Sequence, residues 1–226
     1  MRKMNREEVA NMFKGHYDNW TKSRMSTIKK YIKQDFLINK NLLELGAGHG
    51  HNGNEFYKLG CKVTSTDARL EHIKNGKIKY PHINFEIIDG DKHQIDKKYD
   101  IILHWGLLYH LNEIENHLDM VCKKCDVLLL EAEVSDSDDE NFYIITKESG
   151  PDQAYNNNKG IRPSPCYVEK ILRNNDFKYF MIKDSIVNAH IHQYDWEIKN
   201  TKTWKNGLRR FWVCWNKNVD SKKLFN

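Results

Sequence analysis

The 226-residue sequence predicts an α/β fold in which helices cover both faces of a doubly wound, mostly parallel sheet. Short apolar runs alternate with helical patterns between residues 41 and 132, as expected for strands joined by crossover helices. Two later runs have no clear helix between them, which predicts an antiparallel pair at the sheet edge. The length suits a single domain, 1–226.

Residues 1–38 are predicted to form a helical cover. Apolar residues recur at helical spacing on both sides of Gly15, so we expect two helices broken near that glycine. Residues 39–134 are predicted to hold five strands: Asn41 to Leu45, Cys61 to Thr66, Ile83 to Ile88, Tyr99 to Trp105 and Val127 to Ala132. Helices are expected between several of these strands: Glu55 to Leu59, Ala68 to Tyr80 and Asn112 to Lys123.

Residues 135–226 are predicted to carry loops and the edge strands. Many Asn, Gly and Pro residues indicate a long loop from Gly150 to Pro165, and long loops inside compact domains are often functional lids. The remaining elements are a helix, Cys166 to Asn174, and two strands, Phe177 to Asp184 and Arg210 to Asn216.

Composition narrows the class of protein. No run approaches the roughly 18–20 apolar residues of a membrane span, and Met1 to Glu8 lacks the apolar core of a secretory signal. We therefore expect a cytoplasmic protein without a membrane partner. The net charge of +5 permits an anionic partner without requiring one. Cys122 and Cys125 have metal-knuckle spacing but no matching second pair, so we expect free thiols and no metal.

A glycine-rich segment directly follows the first strand. Gly46 and Gly48 permit a tight turn and close approach of a nucleoside, and Asp67 ends the second strand, where a carboxylate can meet the ribose. The run from Gly48 to Gly53 also matches the GxGxxG dinucleotide pattern. Glu44 at the strand end would repel a pyrophosphate but attract an ammonium, at least through water, and therefore favours a nucleoside that carries an amino acid.

Four segments in order resemble the motifs of class I S-adenosylmethionine-dependent methyltransferases. They are Glu44-Leu45-Gly46-Ala47-Gly48-His49-Gly50, Thr66-Asp67-Ala68-Arg69, Ile88-Asp89-Gly90-Asp91 and the stretch from Tyr99 to Leu111. The resemblance covers roughly residues 41–132 and implies a Rossmann-like methyltransferase fold with a seven-stranded sheet. It also implies that S-adenosylmethionine is the cofactor and S-adenosylhomocysteine the product.

The resemblance implies roles for individual residues. Asp67 would bind the ribose, Asp91 would accept from the adenine amino group, and the following backbone N–H would meet the ring; Asp89 is the alternative to Asp91. The complete predicted cofactor-binding set is Glu44, Gly46, Ala47, Gly48, Asp67, Ala68, Arg69, Gly90, Asp91, Lys92, His104 and Trp105.

Methyl transfer from a sulfonium is an in-line displacement, so the protein mainly aligns the acceptor with the methyl group. An acceptor hydroxyl or ammonium must also lose a proton, which makes His110, after the fourth strand, and His190, in the late insertion, candidate bases. Tyr109 is a candidate acceptor-binding residue. Arg162 and Arg209 are others, because a guanidinium can clamp a carboxylate or phosphate.

The leading hypothesis is methyl transfer to oxygen or nitrogen of a small polar molecule held between the N-terminal helices and residues 135–207. The Gly106 to His110 string also resembles enzymes that act on the transfer-RNA wobble uridine, so an RNA methyltransferase is an alternative. In that case the basic run from Lys202 to Arg210 would contact phosphate. A non-catalytic adenosylmethionine-binding regulatory module is the third hypothesis. The sequence does not predict an oligomeric state.

Overall fold

The computed structural model describes residues 16–148, 150, 153–204 and 208–226, and seven of its strands form one central sheet. These strands are β1 (Asn41–Leu45), β2 (Lys62–Asp67), β3 (Asn84–Ile87), β4 (Tyr99–Trp105), β5 (Cys125–Glu133), β8 (Phe177–Met181) and β9 (Arg209–Asn216). Two further strands, β6 (Tyr143–Lys147) and β7 (Lys159–Pro163), form a separate hairpin.

The strands of the sheet follow the order β3-β2-β1-β4-β5-β9-β8. The first five are parallel, whereas β9 runs antiparallel to both β5 and β8. Leu42 and Leu43, on opposite faces of β1, are both fully buried, as expected for a parallel strand covered on both sides. The predicted α/β fold with its antiparallel edge is therefore confirmed.

Helices lie on both faces of the sheet, above two separate apolar clusters. They are α1 (His16–Tyr31), α2 (Gln34–Leu37), α3 (His51–Lys58), α4 (Leu70–Lys79), α5 (Ile114–Lys123), α6 (Pro165–Asn174) and α7 (Ser221–Leu224), with short 3₁₀ turns at Leu108–His110 and Ser185–Val187. Helix α6 begins where Ser164 accepts a hydrogen bond from the Tyr167 N–H, with Pro165 in the first turn. The first predicted N-terminal helix and its break lie outside the described residues.

The β6–β7 hairpin corrects the sequence prediction, which assigned its second strand to a long loop. Tyr143 pairs with Pro163 and Lys147 with Lys159 in an antiparallel ladder. Its residues alternate between exposed and half-buried, so β6 lacks the continuous apolar run that identifies a core strand. The hairpin lies beside the 3₁₀ turn that follows β4, next to the carboxyl edge of the sheet.

Two expectations from composition can be compared with the described residues. All five cysteines are free thiols, and the described part of the chain contains no group of three or more side chains able to hold a metal ion. Among the same residues, none of the helices combines the length and the apolar character needed to cross a bilayer.

Candidate active site

Two adjoining cavities open at the carboxyl ends of β1, β2 and β4, the edge where ligands bind in open α/β sheets. The larger cavity, of about 240 Å³, lies beneath α1 and the loop before β9, and the smaller one lies beneath residues 153–156. Both cavities are lined by Gly46, Asp67, Gly106, His110 and Gln153. A ligand placed along the cleft would therefore pass these five residues.

The glycine-rich loop turns sharply at the junction of the cavities. Gly46 has φ +66° and Gly48 has φ +54°, a left-handed conformation that glycine adopts without a Cβ clash. An added Cβ at Gly46 would lie 3.1 Å from the Leu107 side chain, which would have to shift, and the positive φ would strain any side chain at this position. Ala47 donates its N–H to the Thr66 carbonyl at 2.8 Å, which ties the loop to β2.

Asp67, at the end of β2, faces this loop and lines both cavities. Its two oxygens accept hydrogen bonds from the N–H groups of Gly48 (3.0 Å) and Arg69 (2.8 Å). Burial raises the pKa of the carboxyl, but the contact with His72 and the Arg69 N–H outweigh burial and hold this pKa below its usual range. The ionised carboxylate can accept hydrogen bonds from a ribose diol.

The smaller cavity has an acidic rim and an apolar floor. Asp89 and Asp91 both line it, and the side chain of Asn156 donates to both carboxylates, at 3.0 and 3.2 Å respectively. Asp91 also accepts from the Asn112 N–H at 2.8 Å. The remaining lining residues include the apolar Ile88, Leu107 and Leu111 and, beside Asn156, Tyr155. The structure thus brings together both acids considered as partners of an adenine amino group.

Glu44 departs from the expectation that it faces the ligand. Its carboxylate is buried beneath the loop and accepts hydrogen bonds from the Gly53 N–H (3.1 Å) and the Ser65 hydroxyl (2.6 Å). Burial raises its pKa to about 7, partly offset by these two bonds. Glu44 lines neither cavity; it braces the first turn of α3 against β2.

His104 was also expected at the cofactor and instead lies in the core. Neighbouring residues of a strand point to opposite faces, and Trp105 is the one that lines the larger cavity. His104 contacts His117 (Nε2 to Nε2, 2.8 Å), and His117 donates its Nδ1–H to the Gly90 carbonyl at 2.8 Å. Burial lowers the pKa of both rings, so this pair is neutral and supports Gly90 from below.

Lys92 and His190 lie outside both cavities. The Lys92 ammonium is largely exposed and donates to the Asn156 side chain at 2.7 Å, so it holds residues 153–156 from the solvent side. His190 is exposed in a turn with φ +51°. Its neighbour His192 lines the larger cavity instead, stacked on Trp20 with ring centroids 3.6 Å apart.

The histidine expected as a base, His110, lies at the junction of the two cavities. Its Nδ1–H donates to Glu148 at 2.5 Å, and the same carboxylate accepts from the Ala154 N–H at 2.8 Å. Burial raises the pKa of the Glu148 carboxyl, but the bond from His110 and the charge of Arg162 outweigh burial and lower it to about 2. Glu148 is therefore ionised, and it fixes the orientation and tautomer of the ring.

Arg162, Arg209 and Tyr109, the candidate acceptor-binding residues, line the larger cavity, and both arginines are already paired with glutamates. Arg162 binds Glu133 and Glu148, and Arg209 binds Glu131 and Glu133. On helix α1, Arg24 extends the series by pairing with Glu131 at 2.5 Å. We call this alternating series the ion-pair chain; its members are Arg24, Glu131, Arg209, Glu133, Arg162 and Glu148.

Several residues of the site were missed by the sequence analysis. Glu148 lies outside the motifs, on a hairpin that was not predicted, so no local signal marked it. Trp20 and Arg24, by contrast, are four residues apart on α1 and stack with the guanidinium carbon 3.3 Å from the ring centroid. Helical spacing of an aromatic and a cation on the predicted cover was a signal that could have identified them.

The fold and the cleft define a nucleoside-binding α/β protein with a histidine–carboxylate pair beside its ligand site. A family model described as a methyltransferase domain matches residues 17–179, and the chain belongs to that family. This confirms the resemblance on which the sequence analysis relied: the chain is a methyltransferase of the S-adenosylmethionine-dependent class.

Two curated relatives match parts of the chain. The Ubiquinone biosynthesis O-methyltransferase of Pelagibacter ubique (strain HTCC1062) is 29% identical over 112 residues, 43% of this chain and 45% of that protein. The Putative methyltransferase 235L of Invertebrate iridescent virus 6 is 34% identical over 78 residues, 33% of this chain and 29% of that protein. The chain therefore aligns with less than half the length of either relative.

Solved structures with low sequence identity share the fold. The N-terminal domain of EvdMO1, solved in the presence of SAH and D-fucose, has a TM-score of 0.66 and 14% identity, with 90% of this chain and 84% of that chain covered. A DhpI–SAM–HEP complex has a TM-score of 0.61 and 14% identity, with 92% and 91% covered. These similarities confirm the architecture.

Proposed function

We propose that this methyltransferase transfers a methyl group from S-adenosylmethionine to a hydroxyl oxygen of a small molecule, with His110 as the general base. One observation carries the proposal: His110 lies where the two cavities meet, with its Nδ1–H donated to a buried, ionised Glu148. Binding a cofactor does not require such a pair, whereas removing a proton does.

The residues of the cleft fit S-adenosylmethionine. The left-handed turn at Gly46 disfavours a side chain beside both cavities, and the ionised Asp67 suits a ribose diol. Asp89 and Asp91 rim a cavity whose apolar lining residues, Ile88, Leu107 and Leu111, suit the faces of an adenine ring. We assign the smaller cavity to the adenosine portion of the cofactor and the larger one to its reactive end and the acceptor.

When bound, S-adenosylmethionine would supply a methyl group on a positively charged sulfur. This sulfur would keep the electron pair of the broken carbon–sulfur bond and become the neutral thioether of the product. His110 uses Nε2, the nitrogen not engaged by Glu148, to take the proton of the acceptor hydroxyl as its oxygen bonds to the methyl carbon. Glu148 stabilises the imidazolium that results, because it already carries a negative charge beside Nδ1.

The other two hypotheses receive less support. In the basic run, Arg209 is committed to two glutamates and Arg210 donates to the backbone carbonyls of Arg209 and Glu197, so neither presents a free guanidinium to phosphate. Lys205 lies outside the described residues. A purely regulatory module would not need the His110–Glu148 pair.

Incubation with methyl-labelled S-adenosylmethionine and separate small-molecule and RNA extracts tests the proposal. We expect label in the small-molecule extract, and a loss of about 10²–10⁴-fold in rate for His110→Ala. His190→Ala is the matched control, since that ring is exposed and outside both cavities. Calorimetry should show unchanged S-adenosylhomocysteine affinity for His190→Ala and largely retained affinity for His110→Ala, whose ring lies only at the end of the adenosine cavity. Label confined to RNA, or an unchanged rate for His110→Ala, would contradict the proposal.

A further inference from the structure

We infer that the methyl acceptor is an uncharged molecule bearing hydroxyl groups, selected by the charge-paired wall of the larger cavity. The inference rests on the proposed function, because it concerns the molecule that receives the methyl group. Its evidence is separate, however: it comes from the ion-pair chain and from buried N–H groups, and not from His110.

The charges of the side chains that line the larger cavity sum to zero. Three are arginines, and three are acids; these six residues are Arg24, Arg162, Arg209, Asp18, Asp67 and Glu133. Asp18 is exposed, and each of the other five already has a partner: Arg24 and Arg209 pair with Glu131, Arg162 pairs with Glu133, and Asp67 contacts His72. A charged acceptor moved from water into this cavity would carry the desolvation penalty of an ion, because the buried charges of the wall are already paired. An uncharged acceptor avoids that penalty.

The arginines are not available to recognise an anion. Arg209 donates to Glu131 and Glu133, each at 2.7 Å, and Arg162 contacts Glu133 at 2.9 Å and Glu148. The side chains of these pairs are 10% exposed at most. A carboxylate or phosphate on the acceptor would have to displace a glutamate and leave it buried without its partner, an exchange with no net gain in ion pairs.

The unpaired polar atoms of the wall favour oxygen on the ligand. The indole N–H groups of Trp105 and Trp204 and the Nε of Arg24 are buried, and among the described residues they have no hydrogen-bond partner. All three are donors, so a ligand atom that reached them would have to be an acceptor, such as a hydroxyl or ether oxygen, and not an ammonium. Each atom has almost no accessible surface, so its side chain must turn toward the cavity before it can bond the ligand.

The aromatic wall also disfavours a flat base as the acceptor. One face of Trp20 is covered by Arg24, with the guanidinium carbon 3.3 Å from the ring centroid. His192 stacks on the same indole with ring centroids 3.6 Å apart and an interplanar angle of 10°. Because these two groups already contact its ring, Trp20 cannot serve as the stacking platform on which nucleobase recognition usually depends.

Fractionation of a small-molecule extract before the reaction tests the inference. Ion exchange divides the extract into anionic, cationic and uncharged pools, and each pool is then incubated with the protein and methyl-labelled S-adenosylmethionine. We expect at least about tenfold more label in the uncharged pool than in either charged pool, since an uncompensated buried charge is strongly unfavourable. Fractionating first matters because methylation itself can remove the charge of a carboxylate.

Two variants sharpen the test. Glu133→Gln removes one negative charge from the wall and should shift label toward the anionic pool. Glu140→Gln makes the same chemical change at an exposed pair with Arg173 and should not. Circular dichroism establishes that each variant is folded, and the wild-type distribution remains a sufficient test if Glu133→Gln does not fold.

The outcomes separate the inference from the proposed function. Label concentrated in the anionic or cationic pool would overturn the uncharged acceptor and leave methyl transfer standing. The same distribution for folded Glu133→Gln and Glu140→Gln would overturn the role of the ion-pair chain in selection. No label in any pool, from protein that binds S-adenosylhomocysteine, would count against the proposed function and hence against both.

Discussion

Replacing Glu148 by glutamine tests whether this residue acts through His110. The carboxylate uses Oε2 for both His110 Nδ1 (2.5 Å) and the Ala154 N–H (2.8 Å), while Oε1 accepts from Arg162. A glutamine has one oxygen, and if Arg162 retains it, the amide NH₂ faces Nδ1 as a donor. The ring must then carry its proton on Nε2, and in that tautomer it cannot take a proton from the acceptor.

The expected loss in turnover is large because the wrong tautomer stops the reaction. Orienting carboxylates of this kind contribute about 10²–10⁴-fold, and we expect Glu148→Gln to fall within that range. Stability should fall by only about 1–3 kcal/mol, because Arg162 keeps its contact with Glu133 at 2.9 Å. S-adenosylhomocysteine affinity should change little.

Turnover is measured as S-adenosylhomocysteine release in the presence of the extract fraction that becomes labelled. The tautomer of the His110 ring is measured separately, by ¹⁵N NMR, and this measurement needs no acceptor. In the wild type the proton should be on Nδ1, and in Glu148→Gln it should move to Nε2. In a His110→Ala background, Glu148→Gln should cause no further loss, since the two residues act as a unit. Full turnover in Glu148→Gln, or an additive loss in the double variant, would refute the reasoning.

Three further predictions concern the loop, the hairpin and the cofactor. Burial raises the pKa of Glu44 from 4.5 to about 7, so the stability that its protonated form contributes is complete below pH 4.5 and is lost as the pH rises through 7. Urea unfolding of the wild type should therefore give a free energy of unfolding that is lower at pH 8 than at pH 4.5, by at most about 3 kcal/mol. Glu44→Gln should remove this difference. Gly160→Ala would place a Cβ against the Tyr109 carbonyl and the Glu148–Arg162 pair, so thermal unfolding should show a loss of about 1–3 kcal/mol with cofactor affinity retained. Asp67→Asn should weaken S-adenosylmethionine binding about 10–100-fold by calorimetry; unchanged affinity would exclude a ribose contact.

The middle of the central sheet was predictable because β1, β4 and β5 are buried on both faces and are largely continuous apolar runs in the sequence. The predicted positions of Gly46 and Asp67 followed from the strand ends, since parallel strands bring their carboxyl ends to one edge. Glu44 was misplaced for a physical reason. The left-handed turns at Gly46 and Gly48 lead the chain over it, and a sequence pattern carries no information about which strand-end side chain is covered.

The acceptor side was less predictable because its contacts join distant segments. Glu148 comes 38 residues after His110, on a hairpin whose first strand, β6, is half exposed and lacks a core pattern. Arg162 and Arg209 line the larger cavity, yet their glutamate partners on β5 look in sequence like part of an ordinary strand. A charged residue in a predicted strand indicates a buried ion pair only when its partner is also known.

The ion-pair chain has a consequence for the order in which parts of the protein fold. Its links close loops of very different length: the two partners differ in residue number by 14 for Glu148 and Arg162, by 78 for Glu131 and Arg209, and by 107 for Arg24 and Glu131. Long loops close late because of their entropy. During folding, the cofactor-binding loop between β1 and β2 should therefore form before the acceptor-binding wall. Pulsed hydrogen exchange during refolding should show β1 and β2 protected earlier than β9 and α1.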